Sequence, residues 1–430
     1  MRNTQAAAEL EGLSQPRFKA ANRGQIEFRA CCWDELLPDD HPARIVWTYV
    51  QSLDLGPLYN RIKAIAGRPG QPPIDPRILM TLWLYATLRG VGSARELDRR
   101  CETDVPFQWI CGGVSVNYHT LADFRTAHVG FLNELLTSSV AVLIHEGLVT
   151  LDRVAQDGMK VRANAGAASF CRGPTLEECL VEARQQVETL QAELETDPSA
   201  SNRRQRAARE RIERLQKALE QLPLVQAQKS NEQEKAKARV STTDSEARVM
   251  KMADGGYRPA YNVQLATDTQ TQIITGVDAI NSGGDQGKLA PMVEQHEQRY
   301  KQTPDAMLVD GGFVKKEDIE QISPPQGGTI VYAPVMKSKD PNRDPHTPRE
   351  DDSAAVAQWR QRMATPEAKE IYKQRASTAE CVNALARNRG LYQVRVRGRP
   401  KVLAVVLWYV LAHNLMREAV LRAERSQKDR

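Results

Sequence analysis

Apolar positions recur with two different periods along this chain, and the switch between them divides it. Leu176, Leu180, Ala183, Val187, Leu190 and Leu194 are spaced 4, 3, 4, 3, 4, and Ala208, Ile212, Leu215, Leu219 and Leu222 are spaced 4, 3, 4, 3. A 4-3 repeat puts one apolar seam on each of two helices. The segment DPSASNRR between them breaks helix, so the pair is predicted to fold back as an antiparallel coiled-coil hairpin. Its polar faces are dense in Glu, Gln and Arg. Packing on itself, dimerisation and presentation of Arg203, Arg204, Arg206, Arg209 and Arg211 to a phosphate backbone all remain open.

On either side of the hairpin the pattern changes to short β-branched runs. Residues 149–163 read as a strand before it. After it, YNVQLATD (261–268) and TQIITGVDAI (271–280) flank a polar turn and predict a β-hairpin. DAMLVD (305–310) and GTIVYAP (328–334) are further strands. Helices are expected over 286–300, 316–322, 353–363, 366–388 and 402–426. This order is that of an α/β core interrupted by a helical insertion. It matches an RNase H-like fold: a mixed sheet, first strands antiparallel and later ones parallel, flanked by helices.

The first 148 residues carry the helical period alone. The first thirty are polar and expected to be loosely ordered. Short helices are predicted over 33–37 and 41–58, before the Pro/Gly segment GRPGQPPIDP (67–76). Asp75 can cap a helix with Pro76 at its first position. Ser93 and Glu96 form a capping box for the next. Further helices are expected over 105–110 and 117–131, the latter with His119, Thr120, Arg125 and His128 on polar faces. Such helices suit either a helix-turn-helix-like DNA reader or an ordinary bundle. The expected division is 1–148 as a helical domain, 149–169 with 240–430 as the α/β domain, and 170–239 as the insertion.

Charge sharpens this picture. The 430 residues carry a net charge of only +5, but residues 371–430 hold 13 Lys and Arg against 4 Asp and Glu, a surplus of +9. Residues 1–150, with 15 basic and 16 acidic residues, are close to neutral. A basic end of this kind suits a polyanion such as nucleic acid. The seven Cys are scattered without a C-x-x-C pair, which argues against a zinc site and fits a reducing compartment. MRNTQAAAELEG has no apolar run of signal-peptide type, and 402–412 reads as a buried helix. The expected location is cytoplasmic, with no membrane partner.

Three acids stand out. Asp157 in VAQDGMKV and Asp310 in MLVDGGF are each expected at the end of an apolar strand and are each followed by Gly. Open α/β sheets expose their chemistry at strand ends. Glu380 is the only acid between Glu370 and Glu418, and Lys373, Arg375, Arg387 and Arg389 surround it. Each acid alone has an ordinary explanation as a turn or surface residue. Three carboxylates converging on one sheet edge would instead suit Mg2+ or Mn2+, which take hard oxygen ligands. Two such ions can serve phosphodiester displacement. No P-loop or dinucleotide-binding glycine motif competes.

Several blocks, in order, resemble a bacterial insertion-sequence transposase of the DDE (Asp-Asp-Glu) type. GRPGQPPIDPRILMTLWLYATLRGVGSARELDRRCETDVPFQWICGG with NYHTLADFR resembles the family's helical, end-binding region. DGMKVRANA (157–165), VDGGF (309–313) and YKQRASTAE (372–380) resemble the blocks around its three acids, and RGRPKVLAVVLWYVLAHNLMR (397–417) the helix that follows. The resemblance implies an RNase H-like catalytic core, with Asp157, Asp310 and Glu380 as catalytic residues holding two Mg2+ or Mn2+ ions. Tyr372, Arg375, Arg387, Lys160, Arg162 and Arg125 would position DNA. The substrate would be double-stranded DNA, both terminal inverted repeats and target, on a homodimer. The rival is a DNA-binding protein without catalysis, derived from such an enzyme; a host nuclease of the same fold is a third possibility.

Two features depart from the family pattern. Four residues separate Arg375 from Glu380 where the signature often has three, and Arg387 stands where it has Lys. Trp359 and Trp408 are candidates for stacking an unpaired base.

Overall fold

The computed structural model describes residues 32–64, 72–196, 202–324, 327–337 and 342–428, with Gly24 and Ile26. The polar N-terminal stretch, part of the Pro/Gly segment and most of the expected hairpin break lie outside these residues.

After a 3-10 turn at Trp33–Leu36, the N-terminal part is helical: α1 (Pro42–Ser52), α2 (Gly56–Tyr59), α3 (Pro76–Leu88), α4 (Ala94–Thr103), α5 (Val105–Cys111), α6 (Tyr118–Ala127) and α7 (Val129–His145). Local chemistry sets the boundaries. Asp75 accepts from the Arg77 amide at the start of α3, and Ser93 from the Glu96 amide at the start of α4. The other half of the expected capping box is not made; Glu96 binds Arg99 and Arg100 instead. Gly112, left-handed at φ 56°, closes α5. The helix expected over 117–131 ends early. His128 leaves the helical region (φ −121°, ψ 37°), the chain bends by 61°, and α7 begins.

The next elements are β1 (Arg153–Arg162), a 3-10 turn at Ala167–Ser169, β2 (Phe170–Cys171), α8 (Gly173–Thr196), α9 (Asn202–Ala227), α10 (Glu232–Ala236) and β3 (Val240–Ser241). β2 and β3 pair antiparallel where the chain leaves and returns. α8 and α9 lie side by side in opposite directions, since Arg211 reaches Gln186 and Glu182 while Leu222 lies beside Gly173. Leu176, Ala183, Ala208, Leu215 and Ala218 are buried on this pair.

β4 (Arg248–Lys251), β5 (Tyr257–Asp268), β6 (Ile274–Ile280), α11 (Leu289–Tyr300), β7 (Ala306–Leu308), α12 (Lys316–Ile322), β8 (Ile330–Tyr332) and α13 (Ala354–Ala364) follow. The chain then runs through α14 (Pro366–Arg375), a π-helical turn at Ala376–Glu380, α15 (Cys381–Asn388) and α16 (Arg399–Lys428). Among the described residues the main sheet has six strands. β6 and β4 lie along one edge of β5, followed by β1, β7 and β8. β5 runs antiparallel to both β1 and β6, whereas β7 and β8 run parallel to β1. Both faces of β5 are covered, so its residues from Pro259 onward are buried.

α16 is long and apolar enough by length and composition to cross a membrane, but Val402, Ala404–Leu415 lie buried within the protein. Asn414 locks it to β6, accepting from the Ile274 amide and donating to the Ile274 carbonyl, each at 2.8 Å. One apolar cluster runs from the N-terminal helices through α16 into the sheet. A separate cluster matters more for the chemistry: Ala155, Ala306 and Leu308 on one sheet face meet Ala379 of the π-helical turn.

Candidate active site

Register brings the two aspartates together. β7 pairs with β1 only from Arg153↔Ala306 to Ala155↔Leu308. Two residues beyond that last pair are Asp157 and Asp310, on adjacent parallel chains at the same level. Side chains alternate along a strand, so Asp157 shares a face with Ala155, and Asp310 with Leu308. The expectation that Asp157 ends its strand is corrected: it lies inside β1, which continues on β5 to Arg162. What ends there is the pairing with β7, leaving one edge of β1 open. Gly158 is likewise not a turn residue. A Cβ there would sit on Asp285 Oδ1, 2.6 Å from Gln264 Nε2 and 2.9 Å from Asn262 Oδ1. Asp310 does form a turn, accepting from the Gly312 amide at 2.8 Å.

The docking of Ala379 on the same face brings Glu380 to the aspartates. The extra residue between Arg375 and Glu380 is absorbed by the π-helical turn Ala376–Glu380. In a straight α-helix, residues five apart point about 140° away from each other. The wider turn returns them to one face, and Arg375 Nη1 lies 3.3 Å from Glu380 Oε1.

Arg375 is the hub of the site. Its Nη2 is 3.2 Å from Asp157 Oδ1 and 3.8 Å from Asp310 Oδ2, so one guanidinium touches all three carboxylates. The arginine side chain is 10% exposed, against 18% for Asp157, 43% for Asp310 and 62% for Glu380. Burial pushes the Asp157 pKa above its ordinary value; Arg375 and the Gly158 amide oppose the shift, and Asp310 and Asp285 add to it. Burial also raises the Tyr372 phenol, opposed by Arg375 and reinforced by the same three acids. Among the described residues no group of three His, Cys, Asp or Glu side chains stands ready to hold a metal ion. The three acids supply hard oxygen donors of the type Mg2+ and Mn2+ take. Here those oxygens already surround a cation, the guanidinium.

Asn383 was not anticipated. Its Nδ2 donates to Asp157 Oδ2 at 2.9 Å, and the residue is 4% exposed. It follows Glu380 by three positions, so the two share a helix face. That spacing was the available signal; the contact itself needs the fold.

The basic residues separate into groups. Lys160, Arg162 and Arg387 line a cavity of about 730 Å³ that begins at Gly158, joined by Lys251, Arg258 and Tyr392. The Arg162 amide donates to the Tyr392 carbonyl at 2.9 Å, tying the chain after α15 to the end of β1. Lys160 is 3.5 Å from Asp285, and Arg258 is 2.7 Å from Asp254. Tyr372 and Arg375 belong to the carboxylates. Arg125 belongs to neither group. Its guanidinium stacks 4.6 Å over Trp83 and donates to the Gly92 carbonyl. Burial lowers its pKa to about 10. Trp359 and Trp408 are also buried, with their indole nitrogens on the Ala333 and Arg125 carbonyls, so neither presents a face to a base.

Residues 31–127 match the family model described as Transposase domain (DUF772), and residues 336–419 match the one described as Transposase DDE domain. Comparison of the chain with curated proteins and with solved structures finds no match.

Proposed function

We propose that the chain is an insertion-sequence transposase of the DDE type, and that it cleaves the ends of its element and joins them to target DNA, with Asp157, Asp310 and Glu380 as the metal-binding catalytic residues. The observation that carries this reading is the convergence of those three carboxylates on Arg375. Strand directions and order support an RNase H-like core over 149–169 and 240–430. Residues 1–148 would bind the element ends, and 170–239 form the coiled-coil insertion.

Divalent ions bound to the three carboxylates would supply an activated attacking oxygen and charge compensation for the leaving one. In the first step water attacks a phosphodiester at the element end, and the P–O bond to the 3′ oxygen breaks. The freed 3′-hydroxyl then attacks a target phosphodiester in line, joining its phosphorus while the P–O bond to the target's own 3′ oxygen breaks and leaves a target 3′-hydroxyl. The protein's own part is positioning. Asn383 holds Asp157, while Lys160, Arg162 and Arg387, with Lys251 and Arg258, grip the phosphate backbone in the adjoining cavity. Arg387 can do so with two parallel hydrogen bonds, as a lysine cannot. Two ends must be held at once, which calls for a homodimer on DNA.

The test is cleavage of the element's own ends in Mg2+. Asp157→Ala, Asp310→Ala and Glu380→Ala should each abolish cleavage and leave end binding intact. Cleavage that survives all three substitutions would falsify the assignment. Binding of the wild-type protein without cleavage would favour a DNA-binding derivative.

A further inference from the structure

The three acids face one another across a guanidinium, and that arrangement constrains how a metal can enter. Carboxylates this close repel one another when ionised. Arg375 offsets one of their three charges. A divalent ion would offset more, but it needs the same oxygens that Arg375 touches at 3.2, 3.3 and 3.8 Å. The two cations therefore compete for one place.

Arg375 is held without being sealed in. Its Nε is buried and has no hydrogen-bond partner. Two of its three acids, Asp310 and Glu380, are 43% and 62% exposed, so water reaches the outer side of the network. The guanidinium can leave without dismantling a saturated set of bonds. An alternative partner has a place to bind on the same stretch of β1, because the cavity that begins at Gly158, the residue after Asp157 and on the other face of the strand, is lined by five Lys and Arg side chains. A phosphate in that region offers arginine the planar, two-bond contact it favours.

We propose that Arg375 is an internal counter-ion: it gathers Asp157, Asp310 and Glu380 in the free protein, keeps divalent ions out, and passes to a DNA phosphate when the substrate binds. Metal loading is then coupled to DNA binding, and by linkage bound metal strengthens DNA binding by the same factor. The π-helical turn contributes by placing Arg375 and Glu380 on one face. This inference rests on the reading of the three acids as metal ligands.

The test is Mn2+ binding to the full-length protein by calorimetry, with and without a duplex carrying the repeat that flanks the gene. Without DNA, Arg375→Gln and Arg375→Ala should bind Mn2+ at least roughly tenfold more tightly than wild type. DNA should raise the wild-type affinity by a larger factor than it raises that of Arg375→Gln, since only wild type must release the arginine. If Arg375→Ala does not fold, Arg375→Gln, which keeps a polar side chain, carries the comparison. Equal Mn2+ affinity of wild type and the Arg375 variants, with Asp310→Asn losing binding, overturns the counter-ion role and leaves the metal site standing. Mn2+ binding untouched by Asp310→Asn, or absent from every protein with and without DNA, overturns the metal reading and this inference with it.

Discussion

Deleting Ser377 should leave both the fold and the chemistry intact. Ser377 is, with Ala376, one of two exposed residues between buried Arg375 and buried Thr378, and its hydroxyl donates to the Gln374 carbonyl. The turn holds one residue more than an α-helix needs. Removing it lets the helix close with ordinary bonds, and Arg375 and Glu380 become four positions apart, about 40° around the axis. α14 and α15 need not move. If the helix instead turned as a unit, α15 would rotate by about 100°. Val382 would then leave the core at a cost of about 2 kcal/mol, with Asn383 and Ala386 turned out alongside it. The two outcomes separate cleanly. Closure of the bulge predicts a stability change within about 1 kcal/mol and a melting shift of no more than about 2–4 °C. Cleavage should persist within about tenfold, since the acids keep their places. Deleting Ser377 and Thr378 together has no spare residue to absorb, so Glu380 swings off its face and cleavage should drop by about 100-fold or more. Thermal melting and end cleavage measured on both deletions decide the matter. A single deletion as damaged as the double one would refute the argument that this turn stores a removable insertion.

Two further outcomes are expected. Gly158→Ala forces a Cβ into the space of Asp285, Gln264 and Asn262, and should cost about 1–3 kcal/mol in denaturant unfolding; a neutral result would show that the Asp285 carboxylate gives way freely. His296 and His413 are buried beside β6, and burial lowers both pKa values to about 4 from 6.5. The sign follows from linkage: the unfolded chain takes up a proton near pH 6.5, the folded protein only near 4, so the stability each confers is complete above 6.5 and is lost as pH falls toward 4. Each should contribute a loss of about 2 kcal/mol between about pH 7 and about pH 5. His413→Gln should remove about that much of the pH dependence measured by urea unfolding, and an unchanged slope would contradict it.

Local sequence settled the elements wherever the signal was itself local. Asp75 and Ser93 mark the starts of α3 and α4 because capping involves residues two or three apart. The 4-3 spacing announced α8 and α9, and the β-branched runs announced β5 and β6. The chain also contained its three acids and the extra residue before Glu380, but not what that residue does. α7 was missed because the break at His128 is a single non-helical residue inside an otherwise helical pattern.

The site itself was decided by tertiary structure. Asp157 reads as a strand end only if β1 is assumed to stop where β7 stops, and strand pairing depends on residues 153 positions away. Lys160, Arg162 and Arg387 meet at one cavity because the chain after α15 returns to β1, whereas Arg125, of the same residue type, stacks on Trp83 among the N-terminal helices. Composition assigns both the same charge. Only the packing shows which charge has a free face, because burial and pairing are properties of the neighbours that the fold supplies. Asn383 and the placement of Arg375 among three acids follow from the same cause. A residue's own spacing fixes which helix face it occupies, and the docking of Ala379 on Ala155, Ala306 and Leu308 fixes what that face meets.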